Sequence, residues 1–167
     1  MPKQKIIPGY RTWLQSAVWQ QGATALSATE QEWLLCAESL TAKLKRHCKL
    51  FQVELLHQGW QNELFSNESA VLAKNQRYWL REVFLYGDQQ PWLFARTVIP
   101  EQLCIQFPPL LALGDKPLGE FLFEQKFVRG ELEWSKMDGL AARRSVFSMQ
   151  DSWLLVSELF LDDFGYL

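Results

Sequence analysis

Glu158 and Arg81 are the residues of this chain whose charge and setting could do chemistry. In the run 152–161, two-residue alternation puts Leu154, Val156, Glu158 and Phe160 on one side and Trp153, Leu155, Ser157 and Leu159 on the other. Both sides are apolar, the pattern of a central strand covered on both faces, so Glu158 points into a hydrophobic setting whichever face meets the core. A lone buried carboxylate is costly unless it is protonated or paired. Arg81 shares a strand face with Arg77, Trp79, Val83 and Leu85, and Arg96 repeats the theme between Phe94 and Val98. Guanidinium forks on an aromatic-rich sheet face suit bidentate capture of a carboxylate, and flat rings nearby suit a planar ligand.

The same residues admit a plainer arrangement. Arg81 or Arg96 can pair with Glu158 or Glu82 across the sheet, a satisfied core feature without chemistry. Arg77 and Glu82 read as surface residues, and Arg143-Arg144 as a solvated pair near a strand start. After Pro117, the backbone N–H groups at Leu118-Gly119 are free to meet an anion, or simply open an ordinary helix.

Other catalytic sets are poorly supplied. Cys36, Cys48 and Cys104 form no CxxC pair, and His47 and His57 are the only histidines. Cys36, His47, Cys48 and His57 do not match the spacing of a familiar zinc site, and scattered thiols do not make a disulfide framework. No nucleophile elbow or phosphate-binding glycine loop occurs. The chemistry expected of this chain uses no metal, nucleotide or catalytic histidine.

The elements that must position these groups follow from local signals. Thr29-Glu30-Gln31-Glu32 has the form of a capping box and predicts a helix over about 30–38, with Ser39 or Thr41 capping a second, basic helix whose charged face is solvated. Strand signals dominate from residue 50, first over 50–56 with Gly59 as an interruption. The segment 60–75 is loop-like with one helical turn, and its Asn67-Glu68-Ser69 glycosylation match is incidental. Residues 77–86 and 91–99 form a hairpin around Gly87-Asp88-Gln89-Gln90. Pro100, Pro108 and Pro109 enclose a connection with room for a short helix, and Pro117 stands as first helical residue before 120–123. Strands are expected over 127–134, 143–149 and 152–161, the last two joined by a turn at 149–152. Helices first and antiparallel strands after make an α+β fold with one sheet.

The 167 residues show no repeat, low-complexity tract or linker, so a single domain over 1–167 is expected. Aromatic residues make up 14% of the chain, enough to wall an enclosed apolar interior. A net charge of −2 without a basic block argues against nucleic-acid binding. No apolar run is long enough to span a membrane, and the N-terminus MPKQKIIPGYRTW lacks a leader's apolar core, so a cytoplasmic protein is expected. A monomer is expected, since no uncovered apolar helix or strand stands out.

Arg77-Tyr-Trp-Leu-Arg-Glu82, Pro91-Trp-Leu93 and Ala95-Arg-Thr-Val-Ile-Pro100 closely resemble the central hairpin of bacterial chorismate pyruvate-lyases. Lys116-Pro-Leu-Gly119, Ala142-Arg-Arg-Ser145 and Ser157-Glu-Leu-Phe-Leu161 resemble that family's later segments, in the same order and at similar spacing. The resemblance runs from about residue 30 to the C-terminus and is loosest over 50–75 and 124–135. It implies an antiparallel sheet with helices packed over it, and a ligand buried beneath helical flaps. It further implies conversion of chorismate to 4-hydroxybenzoate and pyruvate without cofactor, the first committed step of ubiquinone synthesis. By the same resemblance Arg81 grips the ligand carboxylate, Glu158 faces the hydroxyl end of 4-hydroxybenzoate, and Leu118 meets the ligand through its backbone. Leu40 stands where the family carries methionine, a change of similar volume. A competing expectation is a non-catalytic effector domain, since effector domains of some transcription regulators share this fold. Only about thirty residues precede the matched region, too few for an attached DNA-binding domain.

Overall fold

The structure is a computed structural model that describes residues 3–167, with side chains from residue 5 onward. Its frame is one antiparallel sheet of seven strands: β1 (Phe51–Gln61), β2 (Tyr78–Gly87), β3 (Gln90–Pro100), β4 (Val128–Arg129), β5 (Glu133–Met137), β6 (Leu140–Met149) and β7 (Ser152–Phe160). The path runs β1-β2-β3-β7-β6-β4, with β5 pairing β6 off that path. Hairpins therefore build both halves, and β7 closes them by pairing with β3. Residues 88 and 89 both take positive φ, 47° and 69°, in the two-residue turn between β2 and β3. That handedness matches the strand twist, and the Asp88 carboxylate fixes the turn by accepting the N–H groups of Lys49 and Leu50 at 2.9 Å each.

Helices cover both faces. On the near face lie α2 (Ala28–Leu34), α3 (Leu40–Lys45), α5 (Glu101–Gln106), a 3-10 turn (Pro108–Ala112) and α6 (Leu118–Glu124). Trp33, Leu34, Leu40 and Leu44 pack there on Val83, Leu85 and Ala95, while Leu103, Leu110, Leu118 and Leu122 pack with Ile99, Leu154 and Val156. On the far face α1 (Lys3–Ser16) lays Trp13 and Leu14 on Phe84, Phe94 and Leu159. The one-turn helix α4 (Ser66–Ser69) supports its end, with Asn67 Nδ2 donating to the Leu14 carbonyl at 2.9 Å. Met1 and Pro2, the first residues of the stretch scanned for a leader, lie outside the described residues.

Several expectations need correction. The capping box is formed by Ser27 and Glu30, not by Thr29 and Glu32. Ser27 Oγ accepts the Glu30 N–H at 3.1 Å and Glu30 Oε1 accepts the Ser27 N–H at 2.9 Å, so the helix starts two residues early and ends at Leu34. Gly59 does not interrupt β1; the irregularity is a bulge between Leu55 and His57. Pro117 is the N-cap of α6 rather than its first residue. The basic helix is not wholly solvated: Lys43 is buried over the Trp33 ring, and its Nζ donates to the Glu32 carbonyl at 2.6 Å. Ser39, as expected, caps α3.

The candidate active site

Strand register decides which charges meet. In the β2, β3, β7 and β6 rungs, Val83, Ala95, Glu158 and Arg143 stand side by side, and the next rung on the same face holds Arg81, Thr97, Val156 and Ser145. Arg81 and Glu158 thus share the near face, two strand spacings and one two-residue step apart, on the order of 12 Å between backbones. The floor between them is Ala95 and Thr97, side chains small enough to leave space. Above this floor lies a cleft with about 550 Å³ of atom-free space counted out to its mouth. Leu40 and Thr41 at the start of α3, and Pro117, Leu118 and Gly119 at the start of α6, roof it. The two roof segments touch: a Cβ on Gly119 would stand 3.3 Å from Thr41 Oγ1, and Lys45 pairs with Glu120.

Arg81 is 3% exposed and, among the described residues, has no carboxylate partner. One terminal nitrogen donates to the carbonyls of Gly114 at 3.0 Å and Lys116 at 2.8 Å, while its Nε is buried without a partner among the described residues. Burial pushes the guanidinium down to about 10, which still leaves it a cation at neutral pH. A buried cation with an unused donor beside a cleft has the chemistry to accept a ligand carboxylate.

Glu158 is answered by a different arginine. Arg143, 1% exposed, donates from Nε to Glu158 Oε1 at 3.0 Å and from Nη1 to the Cys36 carbonyl at 3.0 Å. The pairing of Arg81 with Glu158 held open from spacing does not occur. Arg96 takes the plain structural role: on the far face it donates to Glu68 at 2.7 Å and Glu82 at 2.9 Å, and Arg11 also clasps Glu82. Glu82 is therefore fully buried rather than superficial, whereas Arg77 does lie half exposed in a pair with Glu101.

Arg143-Arg144 is not a solvated pair. Adjacent residues of a doubly covered strand point to opposite faces and both are buried: Arg143 reaches Glu158, and Arg144 reaches Glu133 at 2.9 Å beneath Trp19. The one signal for this was an arginine pair inside an otherwise small and apolar run, Leu140 to Phe147. Arg129, unremarked in the sequence, also lines the cleft, as does Phe147. His47 instead packs edge-on against Trp33, and among the described residues no three His, Cys, Asp or Glu side chains gather as metal ligands.

The profile of the chorismate lyase family matches residues 13–165, nearly the whole chain and all of this cleft. This chain belongs to the chorismate lyase family. It is 41% identical over 135 residues to the chorismate pyruvate-lyase of Pectobacterium carotovorum subsp. carotovorum (strain PC1), covering 79% of this chain and 76% of that protein. A probable chorismate pyruvate-lyase of Bartonella henselae is 39% identical over 134 residues, 78% of each chain. Likeness of fold reaches further than likeness of sequence. The effector domain of PhnF from Mycobacterium smegmatis superposes with a TM-score of 0.56 at 14% identity, over 75% of this chain and 89% of that one. A possible transcriptional regulator of Bacillus subtilis, YydK, gives 0.54 at 6% identity, over 98% and 81%. The chain is thus a member of a lyase family built on the antiparallel sheet that these regulators share.

Proposed function

We propose that this protein is a chorismate lyase that releases 4-hydroxybenzoate and pyruvate from chorismate, with Arg81 holding the ring carboxylate and Glu158 accepting the hydroxyl at the opposite end. The observation that carries the reading is one cleft, floored by Ala95 and Thr97, that is lined both by Arg81, whose Nε has no partner among the described residues, and by Glu158, kept in place by Arg143. The backbone N–H groups at Leu118 and the side chain of Leu40 border the ligand from the roof.

Little machinery is needed. Breaking the C4–H and C3–O bonds of chorismate leaves an aromatic ring, so the reaction runs strongly downhill. The hydrogen, C4, C3, the ether oxygen and the two enolpyruvyl carbons form a six-membered array. Within it the hydrogen moves to the methylene, the ether oxygen becomes the keto oxygen of pyruvate, and a ring double bond forms between C3 and C4. The chain's contribution is to hold that near-attack shape and to stabilise charge on the departing oxygen. Glu158, aimed by its hydrogen bond from Arg143, orients the C4 hydroxyl as an acceptor.

The sequence kinship near 40% favours the enzyme over an effector domain, whose support is fold alone. The wider role that comes with the family resemblance is the first committed step of ubiquinone synthesis, carried out in the cytoplasm by a single-domain monomer without cofactor. Chorismate mixed with the purified protein should yield the aromatic absorbance of 4-hydroxybenzoate together with one equivalent of pyruvate. Binding of 4-hydroxybenzoate without turnover of chorismate would instead establish the effector reading.

A further inference from the structure

The cleft holds three guanidinium groups, Arg81, Arg129 and Arg143, against one carboxylate, Glu158, a formal excess of two positive charges. Uncompensated charge in a closed apolar site is costly, so the excess describes what the site is built to receive. One unit is accounted for by the carboxylate at Arg81. Arg129 carries the other. Its Nη1 is anchored to the carbonyls of Cys36, Ala37 and Glu38 at 3.2, 3.1 and 3.3 Å, and its fork lies 4.9 Å from the Phe147 ring. Its Nε is buried with no partner among the described residues.

Resting on the lyase reading above, we infer that Arg129 is the binding group for the second carboxylate of chorismate, the one on the enolpyruvyl ether. The placement agrees with substrate shape. Arg129 stands on β4, four strand spacings from Arg81 on β2, and Arg143 and Glu158, at the hydroxyl end, are among the charges that act on it. The ether at C3 adjoins the hydroxyl at C4, so its carboxylate projects from that same end of the ring. Burial and the neighbouring Arg143 both hold the Arg129 guanidinium below its usual range, and a bound anion relieves both. After cleavage the two charges sit on separate molecules: 4-hydroxybenzoate keeps Arg81, and pyruvate leaves from Arg129.

Calorimetry separates this subsite from the rest of the site. The probes are 4-hydroxybenzoate, with one carboxylate, and 3-(1-carboxyvinyloxy)-4-hydroxybenzoate, which has both and is already aromatic, so it cannot react. Arg129→Gln should bind the dicarboxylate at least about tenfold more weakly than the wild type while losing less than about threefold for 4-hydroxybenzoate. Equal losses for both ligands would reduce Arg129 to a clasp on the α2–α3 loop, and no loss for either would remove it from the site. Either result overturns the inference. If the glutamine variant does not fold, Arg129→Lys, which keeps the charge without the fork, should show the same selectivity on a smaller scale. A wild type that binds the dicarboxylate selectively through Arg129 but leaves chorismate intact would defeat the lyase reading and not this subsite.

Discussion

Arg143 stands directly across from Glu158 in the β6–β7 register, and its Nε holds the carboxylate at 3.0 Å. This pairing fixes the aim of the Glu158 side chain. Held in that aim, its oxygens are placed to accept a hydrogen bond from a ligand hydroxyl. Glu158→Gln should therefore keep kcat within about tenfold of the wild type, because an amide oxygen still accepts from the hydroxyl. General acid catalysis contributes roughly 100- to 10,000-fold, so a steady-state loss of that size would instead make Glu158 a proton donor to the leaving group.

Arg81 gives a pH test. Only its cation binds a carboxylate, and burial favours the neutral form, so affinity falls as pH rises through the folded-state value of about 10. Binding of 4-hydroxybenzoate should be level from about pH 6 to 9. Arg81→Lys starts from an ordinary value near 10.4, and the same burial pushes it down further, so its affinity should decline at a distinctly lower pH. Fluorescence titration at several pH values measures both curves; coincident curves would remove Arg81 from the carboxylate.

The same residue should be a stability liability. Arg81 is buried with no opposite charge paired to it among the described residues, so Arg81→Leu should melt no lower than the wild type although two carbonyls lose a donor. Scanning calorimetry of the ligand-free proteins decides it. A drop of several degrees, about 1–2 kcal/mol for a chain of this size, would mean that the guanidinium holds the 114–116 loop more than it awaits a ligand.

Ala95 is the floor of the cleft, between Val83 and Glu158. Ala95→Leu should extend into the cleft, cutting affinity for 4-hydroxybenzoate about 100-fold while strand pairing persists, at about 1–3 kcal/mol of overpacking. Ligand titration beside circular dichroism checks this. Undiminished binding would place the ring elsewhere.

The roof predicts the slow step. A flat anion under α3 and α6 leaves only when they part, so product release should limit turnover and the first turnover should appear as a burst. Lys45→Ala, which removes the pair with Glu120 across the two roof segments, should raise the steady rate without enlarging the burst. Linear kinetics from mixing would assign the barrier to chemistry.

What the chain alone determined is what depends on near neighbours. Two-residue alternation around Glu158 and Arg81 placed both on buried sheet faces, the turn residues at 87–90 made the hairpin, and ordered motifs marked the family. Where two local signals competed, as Ser27 and Thr29 did for one cap, the wrong one was legible. Only the tertiary structure decided which charges cancel. The partner of Glu158 is set by the register of β6 on β7, and that of Arg96 by a one-turn helix 28 residues away. Arg144 and Glu82 are buried because the far face of the sheet is covered too. Pairing energies act between groups brought together by the whole fold, so spacing along the chain named the ions without saying which would be left unpaired for a ligand.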